Sequence, residues 1–250
     1  MSNGITFDFA GSSVLVTGGT SGIGHAVATS FADAGASVTV TGTRAGPGDY
    51  DDVDLAAFTY RQLEMRDTAA IDALAGRFDS LDVLVNNAGA NFPDGLDEWS
   101  PEGFAASLAM NVGGAQRLTL GCHDALAASA MVGGASVVNV VSMTSYRSTT
   151  IVPGYSSSKA ALLALTRNLA AHWVDDGIRV NAVAPGLIDT AMTAPMKDMP
   201  EVLEPELAKQ MMRRMGTPEE VAAAVLFLSC SASTFTTGAS FEVDGGWLAL

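Results

Sequence analysis

Basic side chains are scarce in this chain: 13 Lys and Arg stand against 27 Asp and Glu, for a net charge of −14. A surface of that sign repels phosphate backbones and anionic lipid, which argues against nucleic acid and acidic membranes as partners. Cysteine is scarcer still. Cys122 and Cys230 are the only two, too few for a disulfide framework and without metal-site spacing. His25, His123 and His172 are scattered and form no His-x-x-x-His pattern, so no zinc or other metal centre is expected. No apolar run approaches the roughly 18 uninterrupted residues of a membrane span. Met1 to Asp8 carries neither a basic region nor an apolar core, so no secretory leader is expected. The default expectation is a cytoplasmic protein.

What is present fits a compact α/β protein. The 250 residues are 48% hydrophobic and 16% charged, with 26 glycines for tight turns. Strand-length apolar runs alternate with helix-length segments. Strands are expected at Ser13–Thr17, Ser37–Thr41, Phe58–Leu63, Asp82–Val85, Ser136–Val141, Arg179–Ala184 and Ser240–Val243. Helices are expected at Gly22–Ala34, Thr68–Phe78, Tyr155–Asp175 and Pro218–Ser229, with one or two more between Pro101 and Ala130. Continuous β-branched runs mean strands buried on both faces, and the alternation implies a parallel sheet. The expected fold is α/β: a single doubly wound parallel sheet of Rossmann type with helices on both faces. No linker or repeat appears, so residues 1–250 read as one domain.

Two stretches carry chemistry. Thr17-Gly18-Gly19-Thr20-Ser21-Gly22-Ile23-Gly24 follows the first strand and opens a helix. Its glycines run G-x-x-x-G-x-G rather than G-x-G-x-x-G. The physics is shared: bare backbone approaches a pyrophosphate, and the helix start offers unpaired N–H groups. The second stretch runs from Ser142 to Lys159. Tyr155 and Lys159 are one helical turn apart and so share a face. With four tyrosines and three lysines in the chain, chance gives a Tyr-x-x-x-Lys only about 0.05 times. A cation beside a phenol favours the phenolate, which brings the group toward neutral-pH acid–base work. Ser142, at the end of the fifth strand, can donate to the oxygen of a bound carbonyl.

Taken together, these motifs resemble the short-chain dehydrogenase/reductase family over nearly the whole chain. The resemblance rests on Thr17 to Gly24, on Asn86-Asn87-Ala88-Gly89, on Asn111, and on Ser142, Tyr155 and Lys159. Pro185-Gly186 with Thr190, and Asp244-Gly245-Gly246-Trp247, complete it. The look is that of the ketoacyl reductase and secondary alcohol dehydrogenase branch. It implies hydride transfer between a nicotinamide and a carbonyl or alcohol carbon, with Tyr155 as the acid–base. Lys159 would lower the Tyr155 pKa and hold the ribose, Ser142 would orient the carbonyl, and Asn111 would carry a water chain toward Lys159. Gly113-Gly114 would permit an irregular helix beside Asn111. The implied cofactor site comprises Gly18, Thr20, Ser21, Gly22, Ile23, Gly24, Thr43, Arg44, Glu64, Met65, Asn87, Ala88, Gly89, Pro185, Gly186, Ile188 and Thr190, besides Tyr155 and Lys159.

Cofactor choice turns on the end of the second strand, Thr41-Gly42-Thr43-Arg44. No acid stands there to bind a ribose 2′-hydroxyl, and Arg44 with Thr43 could hold a 2′-phosphate. NADP(H) is slightly favoured, with NAD(H) open, because Ser21 and the aspartates of Ala45–Asp54 weigh the other way. For substrate, Ser142, Met143, Phe92, Ile151 and Met192 are the candidate contacts. Methionines cluster between Pro185 and Thr217, where a mobile lid around 187–215 is expected. Thr119 to Gly134 holds no Lys or Arg, unlike a surface built to dock an acidic carrier. A small free ketone or secondary alcohol is therefore expected. A carrier-linked 3-oxoacyl thioester is the runner-up, and a non-catalytic cofactor-binding regulator the alternative of another class. A homotetramer is expected from the family.

Overall fold

The structure, a computed structural model, describes residues 4–250. Met1–Asn3, part of the segment read for a leader, lie outside the described residues. The strands are β1 (Ser13–Val16), β2 (Ser37–Gly42), β3 (Thr59–Gln62), β4 (Val83–Asn86), β5 (Ala135–Val140), β6 (Ile178–Pro185) and β7 (Ser240–Val243). All pair in parallel, in the order β3-β2-β1-β4-β5-β6-β7. The doubly wound parallel sheet is thus as expected. The helices are α1 (Gly22–Asp33), α2 (Thr68–Ala75), α3 (Pro101–Leu108), α4 (Gly114–Gly121), α5 (His123–Ala127), α6 (Pro153–Trp173), α7 (Pro200–Ala208) and α8 (Pro218–Ser229).

The sheet holds because its strands are apolar on both faces. In β1, Val14, Leu15 and Val16 are each fully buried, yet successive side chains point to opposite faces. Val14 and Val16 join Val27, Phe31, Val225 and Leu228 under α1 and α8. Leu15 joins Ile71, Leu118, Leu169 and Trp173 under α2, α4 and α6. Every residue of β5 and β6 is buried, as central strands of such a sheet must be.

Four helix boundaries differ from expectation, the smallest being α1's end at Asp33 rather than Ala34, which is the cap. α2 stops at Ala75 rather than Phe78, because Gly76 takes the cap and its N–H closes on Asp72. α6 begins at Pro153, a favoured first position since proline has no N–H to lose, and ends at Trp173 rather than Asp175. A tighter turn follows at Val174–Asp176, stopped by Gly177 at φ 73°. Between Pro101 and Ala130 the chain forms α3, a wide π-type turn at Ala109–Gly113, then α4 and α5. That turn is the irregularity expected beside Asn111, and the Gly114 N–H closes it on the Ala109 carbonyl.

The strand order reverses between β1 and β4, so a crevice opens beyond their carboxyl ends. The glycine turn after β1 and the Ser142–Tyr155 segment after β5 both reach that edge.

Candidate active site

A cleft of about 430 Å³ lies along this edge. The turn after β1 forms its floor, with Gly18, Thr20, Ser21, Gly22, Ile23 and Gly24 lining it. α1 begins without a side-chain cap from Ser21 and without an acid in its first turn. Its first N–H groups are left for a ligand, as phosphate binding at a helix start requires. Gly18 sits at φ 63°, and a Cβ on Gly24 would lie 2.2 Å from the Gly18 carbonyl oxygen. The helix crosses the turn at a distance only glycine allows. This bare cradle fits the pyrophosphate of a dinucleotide.

The end of β4 fastens the turn. Asn87 Nδ2 donates to the carbonyls of Thr17 (3.0 Å) and Gly18 (3.1 Å). The Asn87 and Ala88 N–H groups both donate to Thr17 Oγ1, each at 3.0 Å. Asn87, Ala88 and Gly89 line the cleft. Asn86 instead points into the sheet, donating to Thr119 and to Asn139, each at 2.8 Å. Asn139 in turn donates to Thr166 at 2.9 Å, a buried network joining β4 and β5 to α4 and α6.

Ser142, Tyr155 and Lys159 meet in the same cleft. Lys159 is 2% exposed, and its Nζ donates to the Val140 carbonyl at 2.7 Å. Burial pushes the Lys159 ammonium down to about 8. Nζ lies 5.6 Å from the Tyr155 ring centre. The Tyr155 hydroxyl goes the opposite way from expectation. Burial raises it to about 12, Ser142 beside it pulls downward, and the Glu98 carboxylate pushes it further up. The Lys159 cation, turned toward the Val140 carbonyl, is not among the causes that move Tyr155. Ser142 Oγ accepts from the Thr144 N–H (3.2 Å) and the Thr144 hydroxyl (3.0 Å), so its own proton is free to donate.

Asn111 is fully buried behind this group. Its Oδ1 accepts the Ala90 N–H and its Nδ2 donates to the Ala90 carbonyl, each at 2.9 Å, with a further bond to Ser107 at 3.0 Å. A Cβ on Gly89 would lie 2.6 Å from Asn111 Oδ1 and 3.3 Å from Lys159 Nζ. The two polar groups therefore converge on one bare backbone position.

At the other end of the cleft, Thr43, Glu64 and Met65 line the wall, but Arg44 does not. Its guanidinium lies 4.8 Å over the Tyr50 ring and bonds the Asp49 carbonyl. Tyr50 itself lines the cleft and accepts the Arg44 N–H at 3.1 Å. Burial raises the Tyr50 hydroxyl, but hydrogen bonds from Tyr60, Arg44, Thr20 and Thr43 outweigh it and the net shift is downward. Tyr50 was not singled out from the sequence. It lies in the stretch Ala45–Asp54, read only for its aspartates, just after a short 3-10 turn at Pro47–Asp49, and nothing in its spacing marked it.

Pro185, Gly186, Ile188, Thr190 and Met192 line the cleft from the segment after β6. Phe92, Met143 and Ile151 do not line it: Phe92 and Ile151 are 41% and 60% exposed, and Met143 is half-buried. Segment 189–215 leaves and returns at one stem, where the Asp189 N–H bonds Gly216 and the Gly216 N–H bonds Leu187, each at 2.9 Å. Among the described residues, no three or more metal-ligating side chains cluster, and no helix is long and apolar enough to cross a membrane.

Comparison with known proteins agrees with this geometry. A family profile described as enoyl-(acyl carrier protein) reductase matches residues 18–248. An uncharacterized oxidoreductase of Thermotoga maritima is 37% identical over 96% of this chain and 98% of its own length. The 2-(R)-hydroxypropyl-CoM dehydrogenase of Xanthobacter autotrophicus is 35% identical, covering 94% of this chain and 98% of that protein. Among solved structures, the RhlG/NADP active-site complex of Pseudomonas aeruginosa superposes with a TM-score of 0.86 at 31% identity, covering 97% of this chain and 98% of that one. With the glycine cradle, the cleft and the Ser142–Tyr155–Lys159 group in place, the chain belongs to the short-chain dehydrogenase/reductase family and is an NAD(P)-dependent oxidoreductase acting between secondary alcohols and ketones.

Proposed function

We propose that this enzyme interconverts a small, free ketone and its secondary alcohol, uses NADP(H) in preference to NAD(H), and works as a cytoplasmic homotetramer. The observation that carries the chemistry is the meeting of Ser142, Tyr155 and buried Lys159 in the cleft that holds the glycine cradle. Bound nicotinamide supplies or accepts the hydride. In the reducing direction the Ser142 proton points to the carbonyl oxygen, and Tyr155 gives its proton to that oxygen as negative charge develops. The phenolate left behind is buried beside the Lys159 cation, which then offsets its charge. Asn111 braces the loop at Ala90 and stands next to Lys159 for proton relay.

The free substrate is supported by the balance of charge. Arg66 is tied to Asp94, Arg117 to Asp72, Lys197 to Asp189, Lys209 to Glu206 and Arg214 to Glu220. Arg61, Arg77, Arg167 and Arg213 are exposed and outside any ion pair among the described residues, so what disfavours an acidic carrier is the −14 charge and the lack of Lys and Arg from Thr119 to Gly134. That weighs against carrying over the carrier-linked chemistry in the profile's description. NADP(H) is supported by the missing acid after β2 and by the NADP in the RhlG complex. Asp49, Asp51, Asp52 and Asp54 are exposed, so they need not face a 2′-phosphate. The segment around 187–215 serves as the lid. α7 within it buries no residue, and Met192 presents an adaptable apolar wall. Exposed Phe235, Phe241 and Leu250 supply apolar surface for subunit contacts.

A panel of free ketones and 3-oxoacyl thioesters, assayed with both reduced cofactors by absorbance, tests the reading. Turnover of free ketones with NADPH over NADH is expected. Preference for the thioesters would replace the substrate assignment. Tight cofactor binding with no turnover anywhere would favour the regulator.

A further inference from the structure

We propose that Glu98 is a positioning residue for the reaction: its single carboxylate locks the turn at Phe92 to the first turn of α6, which carries Tyr155. Glu98 is 1% exposed. A buried carboxylate is costly unless its oxygens are bonded. No ion pair among the described residues includes it. Instead Oε1 accepts the Phe92 N–H and Oε2 accepts the Tyr155 N–H, both at 2.8 Å.

Each partner needs what Glu98 gives. The Tyr155 N–H belongs to the first turn of α6, where helix donors have no partner of their own. Val152 provides no side-chain cap there. Glu98 is the cap, delivered from outside the helix, with its charge at the favourable end of the helix dipole. Phe92 has φ 47° and Asp94 φ 56°, left-handed values that side-chain-bearing residues rarely adopt. That turn persists because Glu98 holds it at one end and the Arg66–Asp94 ion pair at the other. Gly154 lets the helix seat this closely. A Cβ there would stand 2.8 Å from Ser107 Oγ and 3.3 Å from Glu98 Oε2.

One anion thus fixes the turn at Phe92 against the helix turn that carries the Tyr155 hydroxyl. Its charge also opposes ionisation of Tyr155, so Glu98 bears on when that proton leaves. The inference rests on the reading of Tyr155 as the acid–base group.

The test uses the full chain with Glu98→Gln and Glu98→Asp. Glutamine keeps the size but turns an NH₂ toward one of the two backbone donors. A roughly 10- to 100-fold loss of kcat is expected, with KM and cofactor affinity nearly unchanged. With the charge gone, Tyr155 should also titrate at lower pH, read from ring-carbon NMR of labelled tyrosine and assigned with Tyr155→Phe. Glu98→Asp should restore the titration but only part of kcat. Wild-type kcat and an unmoved Tyr155 titration in Glu98→Gln would overturn the proposal. Should Glu98→Gln not fold, amide exchange in the wild type decides: slow exchange at both Phe92 and Tyr155 supports the lock, and fast exchange at either overturns it. The NMR and exchange arms need no turnover, so an enzyme inactive on every ketone would defeat the functional reading while these still judge Glu98.

Discussion

At one end of the cleft Lys159 is 2% exposed, Asn111 is sealed by three hydrogen bonds, and Tyr155 is fixed from behind through its own N–H. At the other end Arg44 and the aspartates after β2 are exposed, and the arginine rests on a tyrosine. The first end is over-determined and the second is loosely held. Buried polar groups are costly to misplace, so they fix geometry, whereas exposed ones can be exchanged at little cost. Chemistry sits where the structure cannot relax, and cofactor choice sits where it can.

The largest expected effect is at the buried end. Tyr155→Phe should lower kcat by about 10³-fold or more, on the scale of a lost general acid, with cofactor affinity by fluorescence titration within about twofold. A mutant within tenfold of wild type would remove Tyr155 from the mechanism.

Lys159→Met sharpens the comparison by separating stability from activity. The folded pKa of about 8 lies below the ordinary 10.5. Below pH 8 both states hold the proton, and folding must bury the charge. Between pH 8 and 10.5 the unfolded chain binds more protons, so stability rises with pH across that window. The burden below pH 8 is on the order of 3 kcal/mol. Losing the bond to Val140 returns about half of it, since an orphaned carbonyl costs about 1–3 kcal/mol. Thermal melts at pH 7 should show a mutant more stable than wild type but about 100-fold less active, with the gain fading toward pH 10.5. A destabilised mutant at pH 7 would contradict the burial assignment.

Gly24→Ala tests the cradle. Its Cβ meets the Gly18 carbonyl, which only backbone movement can relieve. A loss of about 1–3 kcal/mol in stability and weaker binding of both cofactors should follow. The smallest effect belongs to the exposed end. Arg44→Ala should weaken NADPH by roughly tenfold, about 1.4 kcal/mol, and leave NADH unchanged. Equal loss for both cofactors would show that Arg44 acts through Tyr50 instead.

The same division governs what could be read from the sequence. Strand–helix alternation and the sheet followed from β-branched runs, because burial on both faces leaves a compositional trace. The glycine turn and the Tyr155–Lys159 pair were legible because each spacing is fixed within one turn or one helix, whereas Asn111 and the role of Ser142 came from the resemblance. Glu98 and Tyr50 were not. Glu98 works through backbone atoms 6 and 57 residues away, and a lone acid at that spacing looks like any surface residue. The Tyr155 shift was missed because a sequence shows which charges are near but not how much water they lose. The helix end at Ala75 was set by Gly76, a signal present but local and easily overrun, and α6 gives way at Trp173 to a tighter turn that Gly177 stops.

The wide turn at Ala109–Gly113 has one more effect. An added residue in a helical coil rotates all that follows, so α3 can present its seam to α6 while α4 presents its own to α2. Asn111 rides on the joint, which itself packs against α6. Removing one residue from the joint would restore a regular coil and swing that amide out of register with Ala90, disabling the site while leaving every side chain named in it still encoded.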